Sequence, residues 1–311
     1  MRNMSVNLAG VELKNPVMTA SGTFGSSGEY GEFYDLGALG AIVTKGVANV
    51  PWPGNPVPRI AETKSGMLNA IGLQNPGIDV FLERDLPLLK QYDTKIIVNV
   101  CGKTVEDYCQ VVERLSDEPV DMLEINVSCP NVKEGGIAFG QKPDALEAIT
   151  REVKRHAKQP VIMKLSPNVT DIAEMARAAE AGGADVLSLI NTITGMKIDI
   201  HKRAFAIANK TGGLSGPADG IPGGPGSLPA HHRHGGNHER RGRHGIYPGG
   251  SHGGVCGNRE LREPLRRKGD GRGDPGLYGA LPGGGHPGAY RGRKMNRRPW
   301  GIGVHKAGNL C

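Results

Sequence analysis

The sequence predicts a (β/α)8 barrel, and three observations carry that expectation. Short apolar, β-branched runs alternate with helix-periodic stretches through residues 1–218, the signature of a parallel sheet with helical crossovers. Six strand candidates fall within about 190 residues, a spacing that projects to eight in about 300. The first strand is not followed by a GxGxxG turn opening a helix. That speaks against the alternative, an open doubly wound sheet.

Strands are expected at residues 16–21, 41–46, 96–100, 122–127, 161–165 and 186–191. Helices are expected at 77–92, 105–115, 143–156 and 171–181, where apolar residues recur at three- and four-residue spacing. Asp144 and Asp171 are candidate N-caps, and Gly182-Gly183 fits the end of the last helix. Residues 50–76 are rich in Pro, Gly and Asn and too long for an ordinary βα connection, which marks them as a lid or binding loop.

Composition divides the chain near residue 218. Residues 1–218 hold 22 Lys and Arg against 25 Asp and Glu; the remainder holds 16 against 6. The formal charge of +7 therefore belongs to the tail, and the front gives no footprint for nucleic acid. Five cysteines show no CxxC pair or disulfide framework. No apolar run reaches a membrane span and no secretory leader is legible, so a cytoplasmic protein without membrane attachment is expected.

In a barrel, chemistry sits at the C-terminal ends of the strands. Those ends read Ser21-Gly22, Thr44-Lys45-Gly46, Asn99, Asn126 with Cys129, Lys164 and Asn191-Thr192. One buried Lys or Asn is ordinarily a satisfied structural residue, but six polar ends in a row point to a site. Two lysines and several amides suit a planar, hydrogen-bonding ligand. No His, Asp or Glu pattern has metal-ligand spacing, so no metal is expected. A lone cysteine is more often an inert hydrophobe, and Cys101 and Cys109 are read that way. Cys129 follows a strand and precedes Pro130 in a glycine-containing loop, where it could be a nucleophile or a general base. No histidine stands near it in sequence to complete a Cys-His pair.

The run NVSCPNVKEGG from Asn126 resembles the dihydroorotate dehydrogenase family. So do TASGTFG ending at Gly25, TKG around Lys45, MLNAIGLQNPG from Met67 and GGLSGPA ending at Ala218. A cysteine at 129 and the wording after Asn131 are most similar to the NAD-linked class 1 catalytic subunits. The resemblance implies a barrel holding FMN at its mouth. Cys129 would be the base that takes the C5 proton of dihydroorotate while hydride passes from C6 to the flavin, giving orotate. Lys45, Asn69, Ala70, Ile71, Gly72, Leu73, Asn126, Asn191 and Thr192 would hold substrate. Ser21, Lys45, Gly46, Asn99, Asn126, Lys164, Ile190 and Gly216 would contact FMN. Electrons would leave through a partner subunit bearing FAD and a 2Fe-2S cluster, in a heterotetramer of two catalytic and two electron-transfer subunits. The rival within enzymes is the pyrimidine-reducing domain of dihydropyrimidine dehydrogenase; the rival outside them is a non-catalytic remnant.

Residues 219–311 break the pattern. The Gly-, Arg- and His-rich run from His231 stands where two further strands and a phosphate-binding turn are due. Read one base out of register, codons for Pro229 to Leu265 permit an apolar strand, a Gly-Gly turn, an amphipathic helix and a second strand ending in Gly-Thr. The tail thus reads as out of frame and disordered, with strands seven and eight lost; a nucleic-acid-binding arm and a metal-binding tract are the alternatives. The coding DNA from Thr211 to His238 is expected to show one missing or extra base, and an intact frame there would overturn this reading.

Overall fold

The computed structural model describes residues 4–26, 28–64, 66–127 and 139–216, together with the backbone of 244–248 and 255–256. Residues 257–311 lie wholly outside the described residues.

The chain opens with an antiparallel hairpin, β1 (Val6–Leu8) and β2 (Val11–Leu13). The main sheet then runs β3 (Ala41–Val43), β6 (Lys95–Val100), β7 (Met122–Asn126), β8 (Val161–Leu165) and β9 (Val186–Leu189), all parallel. Spatial order follows chain order without reversal. A doubly wound sheet would reverse at a switch point, so the barrel expectation stands over its rival. The backbone of β14 (His244–Pro248) lies parallel beside β9, and β15 (Val255–Cys256) pairs with it. The expected loss of strands seven and eight falls on this stretch, of which only these two short segments are described. The rest of 217–311 lies outside the described residues.

Between the parallel strands run three long helices, α1 (Val105–Ser116), α2 (Pro143–His156) and α3 (Ile172–Ala181). The first is set by a reciprocal capping box, Thr104 with Asp107. Asp171 caps the third, accepting from the Ala173 and Glu174 amides at 2.7 and 3.2 Å. Gly183, at φ 97°, takes the left-handed position after it. Asp144 is not a cap: Lys142 holds that position and Pro143 opens the helix, leaving Asp144 to meet the helix dipole from the first turn.

Two further expectations are corrected. Residues 16–21 form no continuous strand; only Met18 bridges to Ala41, and Ser21–Phe24 is already helical. Residues 77–92 are not one regular helix. Helical turns at Ile78–Val80 and Leu86–Leu89 flank a wider turn at Phe81–Asp85. Pro87 has no N–H to donate, which favours a break just before it.

Alternation along the strands separates two apolar layers. Ile42, Val98, Val100, Leu123, Ile125, Val161, Met163 and Leu165 point outward and pack under the helices with Val111, Val112, Leu115, Leu146, Ile149, Val153 and Met175. Ala41, Val43, Ile97, Met122, Ile162 and Val186 point inward and meet Leu8 and Leu13 of the hairpin, which closes one end of the barrel. Cys101 and Cys109 are both buried. Burial, with Glu152, Glu113 and Glu106 nearby, pushes the Cys109 thiol up to about 11. Leu13→Ala empties a site with no exposed surface. It is expected to cost about 2–5 kcal/mol in urea unfolding; Asp171→Ala, losing a solvent-exposed cap, about 1 kcal/mol.

Candidate active site

The inward face changes character toward the strand C-termini. One registered row is Val43, Ile97 and Met122; the next is Asn99, Glu124, Ile162 and Val186; the last is Asn126, Lys164 and Ser188. The interior thus grades from apolar at the hairpin end to wholly polar at the other. Asn99, Glu124, Asn126, Lys164 and Ser188 are all buried.

Glu124 organises this polar layer. Its Oε1 accepts from Asn99 Nδ2 at 2.6 Å and lies 3.9 Å from Lys164 Nζ. An ionised carboxylate can only accept, so Asn99 must present its NH2 to Glu124 and its oxygen elsewhere. That oxygen accepts from Asn126 Nδ2 at 3.4 Å. Asn126 Oδ1 in turn accepts from Asn191 Nδ2 at 3.3 Å, and Asn191 Oδ1 from the Thr192 amide at 2.8 Å. One carboxylate therefore sets the orientation of three amides on three strand ends. Tyr108 fixes the end of β7 from outside by donating to the Asn126 carbonyl at 2.8 Å.

Lys164 Nζ also donates to Ser21 Oγ at 3.3 Å, joining β8 to the segment after the first bridge. A Cβ at Gly46 would stand 3.2 Å from Asn99 Oδ1 and 3.3 Å from Cys101 Sγ, so a side chain there would require these neighbours to shift. Lys45 is half-buried and its backbone amide donates to Gly25 O at 2.9 Å. Ile190 packs at the margin of the main core.

The long segment after β3 folds into β4 (Ile60–Thr63) and β5 (Gly66–Asn69). The segment after β9 supplies β10 (Ile193–Met196), the short antiparallel pair β11 (Ile198–Asp199) and β12 (Ala204–Phe205), and β13 (Thr211–Ser215); β4, β5, β10 and β13 form one antiparallel sheet in the order β10-β13-β5-β4. Through this sheet Asn69 Nδ2 donates to Gly213 O at 3.4 Å. Gly213 itself backs directly onto Thr192, leaving no space for a side chain. Residues 70–73 are pinned by Asn55, whose Nδ2 donates to Ala70 O at 3.1 Å and whose amide donates to Ile71 O at 3.0 Å. Gly72 and Leu73 sit at φ 73° and 52°. Gly216 ends β13 with φ 128°.

The structure thus gathers Ser21, Asn99, Asn126, Lys164, Asn191 and Thr192 into one hydrogen-bonded network, and joins Asn69 to it through the second sheet. Cys129, with residues 128–138, lies outside the described residues. Sequence reading passed over three contributors. Glu124 was hidden in the run MLEIN, although a charge two residues before Asn126 shares its face. The β10–β13 pairing left no periodic signal. Asn168 clamps the segment after β9, donating to Thr192 O at 3.0 Å and accepting from the Thr194 amide at 2.8 Å.

A parallel barrel with a polar mouth at the C-terminal ends of its strands is an architecture that carries enzyme active sites there. Residues 3–218 match the description "Dihydroorotate dehydrogenase", and the chain belongs to that family. Among similar curated proteins are "Dihydroorotate dehydrogenase B (NAD(+)), catalytic subunit" of Lachnoclostridium phytofermentans, 76% identical over 216 residues, and that of Alkaliphilus metalliredigens, 67% identical over 216 residues. Each alignment covers 70% of this chain and 72% of the relative. The same-named protein of Geobacillus kaustophilus is 57% identical over 219 residues, 70% of either chain. A solved structure of Eimeria tenella DHODH in complex with ferulenol shares the fold at TM-score 0.56 and 24% identity, over 70% of this chain and 66% of that one.

Lys164→Met leaves the Glu124 charge buried without its cation and is expected to cost about 3–5 kcal/mol in denaturant unfolding. Glu124→Gln added to it should recover much of that loss; strictly additive single and double variants would show the two are uncoupled.

Proposed function

We propose that this chain is the catalytic subunit of an NAD-linked enzyme that oxidises dihydroorotate to orotate in pyrimidine biosynthesis, with FMN at the barrel mouth. The observation that carries the reading is the 55–76% identity to relatives bearing that name across the stretch that builds the polar layer. The residues fit a flavin. Ser188 Oγ is buried beside Lys164 in register and has no hydrogen-bond partner among the described residues. Gly46 keeps the floor next to Asn99 free of a side chain.

FMN, when bound, supplies a two-electron acceptor. Ser21, Lys45, Gly46, Asn99, Asn126, Lys164, Ile190 and Gly216 would hold it, and Lys45 would also contact substrate. Asn69 and residues 70–73, with Asn126, Asn191 and Thr192, orient the substrate by pairing amides with its carboxylate and ring edges. Cys129 takes the C5 proton at its thiolate sulfur. The words "catalytic subunit" in the relatives' names imply a partner. The partner is a subunit carrying FAD and a 2Fe-2S cluster, in a two-plus-two heterotetramer, working in the cytoplasm; among the described residues no helix is long and apolar enough to cross a membrane.

The family match stops at residue 218, where the composition changes. This supports a change of reading frame there and a second reading for the chain as written, a remnant that folds poorly and holds FMN weakly. A soluble full-length product with stoichiometric yellow flavin would exclude that second reading. In a frame-restored chain, Cys129→Ala is expected to keep its flavin absorbance and lose dihydroorotate oxidation by about 10²-fold or more. Preferential turnover of uracil over dihydroorotate would overturn the substrate assignment.

A further inference from the structure

On the outer face of the barrel, α1 and α2 bring together two pairs of potential ligands, each spaced four residues apart: Cys109 with Glu113, and Glu152 with His156. Side chains so spaced stand on one face of a helix. The Cys109 sulfur, a Glu152 carboxylate oxygen and a ring nitrogen of His156 all lie within 4.8 Å of one another. We propose that Cys109, Glu152 and His156 form a transition-metal site, with Zn2+ the best-suited ion, and that Glu113 orients its histidine.

The donor set favours that ion class. Thiolate, imidazole and carboxylate together are the ligands of Zn2+ and its neighbours, whereas Mg2+ and Ca2+ take oxygen alone. Zinc bonds of about 2.0–2.3 Å in a tetrahedron place ligand atoms about 3.3–3.6 Å apart. His156 Nε2 and Glu152 Oε1 already stand 3.2 Å apart. The other ring nitrogen, Nδ1, meets Glu113 Oε1 at 2.6 Å. That is the carboxylate–histidine arrangement that fixes the tautomer and leaves Nε2 for a metal. Glu152 is held in the same way, since its Oε2 takes Arg155 Nη1 at 2.7 Å while Oε1 faces the histidine. Three protein ligands leave a fourth position for water. Binding displaces the Cys109 thiol proton to solvent and uses the Nε2 lone pair of the Nδ1–H tautomer, with no change in oxidation state. The ion would join the two helices that flank β7, the strand carrying Glu124 and Asn126. The proposal is independent of the dihydroorotate reading.

Co2+ titration of the full-length chain tests it, because cobalt reports its ligands by absorbance. The expected result is one equivalent of cobalt giving intense four-coordinate visible bands and a near-ultraviolet thiolate-to-cobalt band, both bleached by one equivalent of Zn2+. Cys109→Ser should abolish the thiolate band, and His156→Gln should weaken the visible bands, with far-ultraviolet circular dichroism unchanged in both. Beyond residue 218 eight histidines are accompanied by Cys256 and Cys311, so the titration uses a full-length chain carrying Cys256→Ser and Cys311→Ser, in which the tail would give only weak six-coordinate absorbance without a thiolate band. A thiolate band that survives Cys109→Ser, or its absence from a parent chain of normal helicity, overturns the proposal.

Discussion

A carboxylate cannot donate a hydrogen bond, and the barrel mouth is arranged around that restriction. Glu124 is 4% exposed, and every polar neighbour must come to it as donor or cation. Asn99 does so with its amide and Lys164 with its ammonium. Once Asn99 is oriented, Asn126 and Asn191 follow in turn, because each amide has one accepting and one donating end. The result is a polarity imposed by one residue and transmitted across β6, β7 and the end of β9. Side chains that tumbled between two orientations would offer a ligand an average of donors and acceptors. Here the pattern is set before any ligand arrives, which lowers the reorganisation that binding requires.

The outer layer supports the same purpose. Tyr108 is fully buried on α1 and reaches the Asn126 carbonyl, so a helix outside the sheet fixes a strand end whose side chain belongs to the inside. Asp185 does similar service at the opposite end. Its Oδ2 accepts the Val161 amide at 2.7 Å and Lys154 Nζ at 2.6 Å, tying the start of β8 to α2. Strand register is thus held at both ends, and register decides which residues share a row with Lys164.

Much of this was legible in the sequence, and the reasons differ by element. The residues of β8 and α2 read directly, because an unbroken apolar run and a strong three-four periodicity each have one interpretation. Residues 16–21 misled because Pro16, Thr19 and Ser21 allow an extended chain without requiring a paired one. Strand-end polarity located Asn99, Asn126, Lys164 and Asn191, since position on a parallel strand is enough to infer a shared mouth. Glu124 was harder: a lone charge within an apolar run gives no sign of the partner that stabilises it. The sheet uniting Asn69 with Thr192 was not readable at all. It depends on Gly66, Gly212 and Gly213, where a side chain would collide with the neighbouring strand or with Thr192, and such close approaches appear only in three dimensions.

The hairpin that closes the barrel has a consequence for synthesis. Leu8 and Leu13 leave the ribosome long before their packing partners Met122, Ile162 and Val186. An apolar segment made before β3 is therefore among the last to find its place, and until β9 emerges it has no complete surface to cover. Contacts between segments so distant in sequence slow folding and prolong exposure to aggregation. A nascent chain of this kind depends on whatever shields the hairpin until β9 is made.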